Sequence, residues 1–253
     1  MKLDPHIHSC YSGDSRSKPE NIINQAISVG LDIIAISDHN TTKGSKVAIG
    51  EAKDKDIIIV PSIEISSSKG HILGFGVDVD IPKNLSPHET IDKIYDNGGI
   101  PIIPHPFSSY RNGLFCKVKP SELEIEAIEV KNSRYIFGYS NYRSKTLAMK
   151  KNLAMIGASD SHFIGSIGDS YTEIKGISRD STIDDIIDGI RSRKTIAKGK
   201  KTSNYLIAKE VFNKKIKRLY WLLFSQNLKS FNLFISSIFF IECLYIHELK
   251  III

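Results

Sequence analysis

The stretch PENIINQAISVGLDIIAISDHN, residues 19–40, decides how the rest of the chain is read. Pro19 suits the first turn of a helix, because the N–H it lacks is one that a helix start leaves unbonded anyway. Ile22, Ile23, Ala26 and Ile27 recur at helical spacing as one apolar stripe, and Gly30 can close the helix. From Ile33 to Ile36 the chain is apolar on both faces, as in a strand covered on both sides. The polar run SDHN follows at once.

The same succession repeats outward. SPHETIDKIYDNGG (86–99) reads as a helix with Ser86 as N-cap, Pro87 at the first position, Glu89 three residues after the cap and Gly98 past the end. GIPIIPHP follows directly, then AIEV (127–130), a helix through 139–152, LAMIGAS (153–159), and STIDDIIDGIRSR leading into TIAKG. Ser181 or Thr182 would cap the last helix. Strands alternating with helices predict parallel strands with helical crossovers, in an α/β barrel or an open sheet.

At 253 residues, 41% apolar and 25% charged, the chain has the composition of a soluble globular protein and is long enough to bury a sizeable core. Cys10, Cys116 and Cys243 are odd in number and far apart, which argues against a disulfide framework and for a reducing, cytoplasmic setting. Asp4, His6 and His8 arrive before any apolar run, so the opening does not read as a secretory signal. Residues 198–218 carry a net +7 in a chain whose total is +6, so the basic character belongs to one segment. Beyond residue 200 an amphipathic basic helix (205–223) precedes FNLFISSIFFIECLYI (231–246), which is short for a membrane span. The expected organisation is a body over 1–200 and a helical tail over 201–253. The tail is a candidate surface for nucleic acid, membrane or a second copy of the chain.

Eight histidines are present. His88 falls in a helix start and His247 in the tail; the other six are patterned. His6 and His8 follow the first short strand, with one residue between them and so on one face. His39, His105 and His162 each follow a strand-like run, and His71 opens the run GHILGFG. Asp4, Asp14, Asp38, Glu64 and Asp160 stand at similar places. Loops after strand ends converge on one rim in parallel α/β folds. Imidazoles with carboxylates, and no paired thiolates, suit Zn, Mn or Fe. Arg111, Lys131 and Arg134 follow strand-like runs and are candidates for orienting a phosphate.

DPHIHS (4–9), SDHN (37–40), HPF (105–107) and SDSH (159–162) occur in this order, with Glu64 and GHILGFG between them. Over about residues 1–200 the chain thereby resembles the PHP (polymerase and histidinol phosphatase) superfamily. The resemblance implies a distorted (β/α)7 barrel holding two or three divalent metal ions, Mn, Zn or Fe, with Mg also compatible, and phosphoester hydrolysis. It implies one metal on His6, His8, Glu64 and Asp160, a second on bridging Glu64 with His71 and His105, and a third on Asp14, His39 and His162. Glu64, His39 and Asp160 then head the catalytic set. Asp38 reads as a residue orienting an imidazole; Asp4 plays the same part or caps the strand end. The expected substrate is small and phosphorylated, a nucleotide or short oligonucleotide in preference to histidinol phosphate. The loop-rich interval 107–126 is a candidate cap over it. An amidohydrolase-like C–N hydrolase and a non-enzymatic docking module are the alternatives.

Overall fold

A computed structural model describes residues 1–135, 138–212 and 216. Its elements run β1 (Lys2–Ile7), α1 (Pro19–Ser28), β2 (Ile33–Ile36), α2 (Lys43–Glu51), β3 (Ile58–Ser66), β4 (His71–Phe75) and α3 (Pro87–Asp96). After β5 (Ile100–Ile103) comes a long loop with three 3-10 turns. Then follow β6 (Ala127–Asn132), α4 (Tyr139–Lys151), β7 (Ala154–Ala158), β8 (Ser170–Ile174), α5 (Ile183–Arg191) and β9 (Thr195–Gly199).

Local chemistry fixes the helix starts. Ser86 Oγ accepts from Glu89 N at 3.2 Å while Glu89 Oε2 accepts from Ser86 N at 2.9 Å, the reciprocal cap of α3. For α5 the cap is Thr182 rather than Ser181, paired in the same way with Asp185. The two-residue period of β2 then divides its side chains. Ile33 and Ala35 join one core with Leu3, Val60 and Phe75, while Ile34 and Ile36 pack on Ile22, Ile23 and Ala26 of α1.

The sheet order is β7-β6-β5-β4-β3-β2-β1-β8-β9. Neighbours within β1, β2 and β3 are parallel, as are those within β5, β6 and β7. β4 runs antiparallel between β3 and β5, and β8 antiparallel between β1 and β9. The expected all-parallel sheet is therefore a mixed one. β8 escapes an apolar-run reading because it alternates buried Ser170, Thr172 and Ile174 with half-buried Tyr171 and Glu173.

The sheet curls until its ends nearly meet, with β7 against β8 and β9. Thr172 Oγ1 donates to Gly157 O at 2.8 Å and accepts from Gly157 N at 2.9 Å. A Cβ at position 157 would run into the Tyr171 carbonyl, so the seam closes because that residue is glycine. The barrel that the resemblance implies is thus present, with nine strands among the described residues in place of seven. Ile186, Ile187 and Ile190 of α5 join the core at Phe75 and Ile100, where β4 finishes and β5 starts. That is the end of the barrel away from His71.

These elements lie in a unit spanning Met1–Asn204; a second unit begins at Tyr205. Residues 205–212 are helical. Most of the expected basic helix and all of the apolar stretch 231–246 lie outside the described residues. No described helix is long and apolar enough to cross a membrane.

Candidate metal centre

The strand ends deliver the histidines to one rim. His6 and His8, at the end of β1, meet through their Nε2 atoms at 3.0 Å. His39 follows β2, His105 follows β5 and His162 follows β7. His71 opens a strand instead of closing one. It reaches the same rim because β4 is antiparallel to β3, which puts His71 opposite Ser66.

Glu64, near the end of β3, stands at the centre. Its Oε1 is 2.9 Å from His71 Nδ1 and 3.1 Å from His105 Nε2. Its Oε2 is 3.1 Å from His39 Nδ1, 3.3 Å from His8 Nε2 and 3.4 Å from His6 Nε2. Asp160 Oδ1 lies 3.8 Å and 3.7 Å from the Nε2 atoms of His6 and His8. Asp14 Oδ2 is 2.7 Å from His162 Nε2 and 3.5 Å from His39 Nε2. Four overlapping groups have ligand atoms within 4.8 Å of one another: His8, Asp14, His39 and His162; His6, His8 and Asp160; His6, Glu64 and His105; His39, Glu64 and His71. All nine expected ligand residues are in these groups. The grouping differs from the implied one: with Glu64, His71 groups with His39 and His105 with His6, while Glu64 is not in the group of His6, His8 and Asp160, and His8 joins Asp14, His39 and His162.

Opposite charges facing one another make this burial tolerable. Burial works to raise Glu64, yet His71, His39 and His6 hold it well below the usual carboxylate range. Asp160 is held low against its own burial by Arg111 and His6. Burial works to lower His39, but the Glu64 and Asp14 carboxylates outweigh it and raise it to about 9. For His162, burial and the neighbouring His8 prevail and take it down to about 4. Burial lowers His105 too, aided by Arg111. His105 and His162 are thereby kept in the neutral form that offers a lone pair to a metal.

The other expected residues are placed unequally. Arg111 donates to Asn132 Oδ1 at 3.1 Å and to Asp160 Oδ2, and both Arg111 and Arg134 line the cavity at the rim. Lys131 does not. A register shift between Glu129 and Lys131 puts Asn132, not Lys131, beside Glu129 on the side of the mouth. Asp38 makes no hydrogen bond to an imidazole among the described residues: its oxygens accept from Ser9 N at 2.6 Å and Ser9 Oγ at 2.5 Å. Gly44 of α2 makes room for this pair, since a Cβ there would strike both partners. Asp4 accepts from Ser159 N and Gly168 N, each at 3.0 Å, so it ties β1 to the loops around β7 and β8. Burial raises its carboxyl to about 6 against those donors. The interval 107–126 folds down at the rim, its Phe115 N bonded to Pro106 O, and supplies Arg111.

Two residues of the site go unread in the sequence. Glu129, fully buried, holds His6 Nδ1 through Oε1 at 2.8 Å. Its Oε2 accepts from His105 N and Asn132 Nδ2, each at 2.8 Å. Asn132 Nδ2 also donates to Asp160 Oδ2 at 2.9 Å. His105 (φ 29°) and Asp160 (φ 52°) sit in the left-handed region that non-glycine residues avoid, and this network holds both. The available signal was a lone acid inside the apolar run AIEV.

The donor set fits divalent metal ions. Asp14 Oδ1 and Asp160 Oδ1 are buried and accept no hydrogen bond among the described residues, and the Nδ1 atoms of His39 and His71 lie 3.1 Å and 2.9 Å from Glu64 oxygens without hydrogen-bond geometry. Imidazole nitrogens and carboxylate oxygens converging in this way, some of them without a hydrogen bond among the described residues, form a donor set that suits a divalent cation.

Fold and rim together define an α/β barrel built around a mouth of side chains able to hold metal ions. The PHP-associated family model matches residues 138–195. An uncharacterised protein of Methanocaldococcus jannaschii is 37% identical over 151 residues, 56% of this chain and 87% of its own length. The chain belongs to the PHP family. Shorter matches reach a 5'-3' exoribonuclease of Haemophilus influenzae (34% over 86 residues) and a phosphoribosyl 1,2-cyclic phosphate 1,2-diphosphodiesterase of Eggerthella lenta (33% over 88). Each covers 32% of this chain, and 31% and 33% of those proteins respectively. A two-domain Bacteroides vulgatus protein containing a predicted PHP-like metal-dependent phosphoesterase superposes with a TM-score of 0.66 at 20% identity, over 79% of this chain and 65% of that one.

Proposed function

We propose that the chain is a metal-dependent phosphoesterase acting on a small phosphorylated substrate, with a nucleotide or short oligonucleotide favoured. The observation that carries this is the convergence of six imidazoles with Glu64, Asp14 and Asp160 on one mouth. His6, His8, Glu64, Asp160, His39, His71, His105, Asp14 and His162 would hold two or three ions of Mn, Zn, Fe or Mg. Such ions bring a bound water close to ionisation at neutral pH and take charge from phosphoryl oxygens.

The chain's own residues supply the rest. Arg111 spends donors on Asn132 and Asp160, and its planar fork, with five N–H groups, retains others for a phosphoryl oxygen at the cavity wall. Arg134 lines the same cavity. Glu129 fixes the His6 ring so that Nε2 faces the mouth. The catalytic unit in this reading is residues 1–200, with 201–253 an accessory. A nucleotide is favoured by the partial likeness to the exoribonuclease and the cyclic-phosphate diphosphodiesterase. A C–N hydrolase finds less support, since no lysine stands among the described residues lining the cavity.

The test is metal analysis of the purified chain coupled to a screen of phosphomonoesters and phosphodiesters with added manganese. Bound metal with turnover of at least one phosphoester is expected. Stoichiometric metal with no phosphoester turned over, or turnover that survives chelation, overturns the proposal.

A further inference from the structure

We propose that the rim carries a base-stacking shelf, formed by Tyr110, Tyr139, Tyr142 and Arg143, for a short single-stranded oligonucleotide whose phosphate enters the mouth. This rests on the phosphoesterase reading and extends it to the length and chemistry of the substrate.

The shelf is fixed beside the site. At the start of α4, Asn141 Nδ2 donates to Asn132 O at 3.1 Å and Asn141 Oδ1 accepts from Asn132 N at 3.2 Å, and Asn132 itself touches Asp160. Ser140 Oγ donates to Phe107 O at 3.4 Å, joining this helix start to the loop that carries Tyr110 and Arg111. Tyr139 and Tyr142, three apart and so on one helix face, are each 69% exposed, and Tyr110 is 61% exposed. More than half of each tyrosine is open to solvent, and a flat ring face of this kind is a surface on which a nucleobase can stack. The Arg143 guanidinium lies 4.1 Å from the Phe107 ring centroid and 5.9 Å from that of Tyr139, a second planar cation in the same surface.

Charge and size select the partner. Residues 107–119 and 131–151 contain nine Lys or Arg and no Asp or Glu, which suits a polyanion. The cavity at the rim holds about 140 Å³, below the roughly 300–1,000 Å³ of pockets that enclose a drug-sized ligand. A cavity of this size suits a phosphate group rather than a whole oligonucleotide, which leaves the bases for the surface around it. Aromatic rings with interspersed cations take successive bases with little regard to sequence.

Calorimetry on the full chain with manganese would compare a phosphorothioate trinucleotide with an abasic trinucleotide of equal charge. The base-bearing probe should bind roughly tenfold tighter or more. In the Tyr139→Ala/Tyr142→Ala variant that ratio should fall close to one, with the abasic affinity retained. Equal affinities in the wild type, an unchanged ratio in the variant, or equal loss of both probes would each overturn the shelf. Base-dependent binding without phosphoester hydrolysis would defeat the phosphoesterase reading alone, and hydrolysis without base-dependent binding would defeat the shelf alone.

Discussion

Glu129→Gln is the substitution that most sharply tests how the mouth is organised. The wild-type carboxylate is fully buried and takes three donors at 2.8 Å: His6 Nδ1–H, His105 N–H and Asn132 Nδ2–H. Glutamine keeps the volume but offers one acceptor oxygen. If that oxygen stays with His105 and Asn132, the new NH2 faces His6 Nδ1 and forces it to accept. The proton then moves to Nε2, the atom that meets His8 Nε2 at 3.0 Å, and His6 can no longer give a lone pair to a metal. If the amide turns over, two donors meet the NH2 instead. Either way a charge-assisted bond worth about 1.5–3 kcal/mol becomes neutral or repulsive. Outer partners of metal-bound histidines are generally worth roughly tenfold to a hundredfold in metal affinity, so manganese binding should weaken by that amount. Calorimetric metal titration gives the affinity, and nitrogen NMR of the imidazoles gives the His6 tautomer. Unchanged manganese affinity with His6 still protonated at Nδ1 would refute the reasoning.

Three further outcomes are expected. His8→Ala should abolish metal retention and phosphoester turnover together while circular dichroism stays native; normal turnover would remove His8 from the site. It is a cleaner probe than Asp160→Ala, which strands Arg111 without its carboxylate. Arg111→Met keeps the stem but removes the guanidinium bridge that runs beside the direct bond from Asn132 to Asp160, and steady-state kinetics should show KM for the phosphoester raised about tenfold to a hundredfold, as loss of a charged hydrogen bond entails; an unaltered KM would deny it contact with the substrate. Gly157→Ala drives a methyl into the Tyr171 carbonyl at the barrel seam and should cost about 1–3 kcal/mol, a fall in Tm of roughly 3–10 °C by calorimetry. A wild-type Tm would mean the seam has slack.

What the sequence discloses and what it hides divide along a physical line. His6 and His8 on one face, and the acids and histidines that directly follow several of the apolar strands, are legible because a strand's own period and its polar stop lie within a few residues of each other. β4 and β8 are harder: strand direction depends on which neighbour a run pairs with, so His71 at the head of β4 looks misplaced until the hairpin with β3 is known. Asp38 belongs to the same class, because its partner Ser9 lies 29 residues back and the space for the pair is left by Gly44 on a third element. Glu129 and Asn132 are the clearest case. Lys131 is a candidate because it follows a strand-like run, and in AIEVKN a regular period would send Glu129 and Lys131 to one side. Pairing with β7 breaks it: Glu129 is opposite Ile156 while Lys131 is opposite Gly157, so one residue of β6 is skipped and Asn132 takes the inward place. A bulge is a property of two strands, and the letters of either one alone do not contain it. The side chains that orient this site, unlike those that form it, are therefore set by pairings between distant segments.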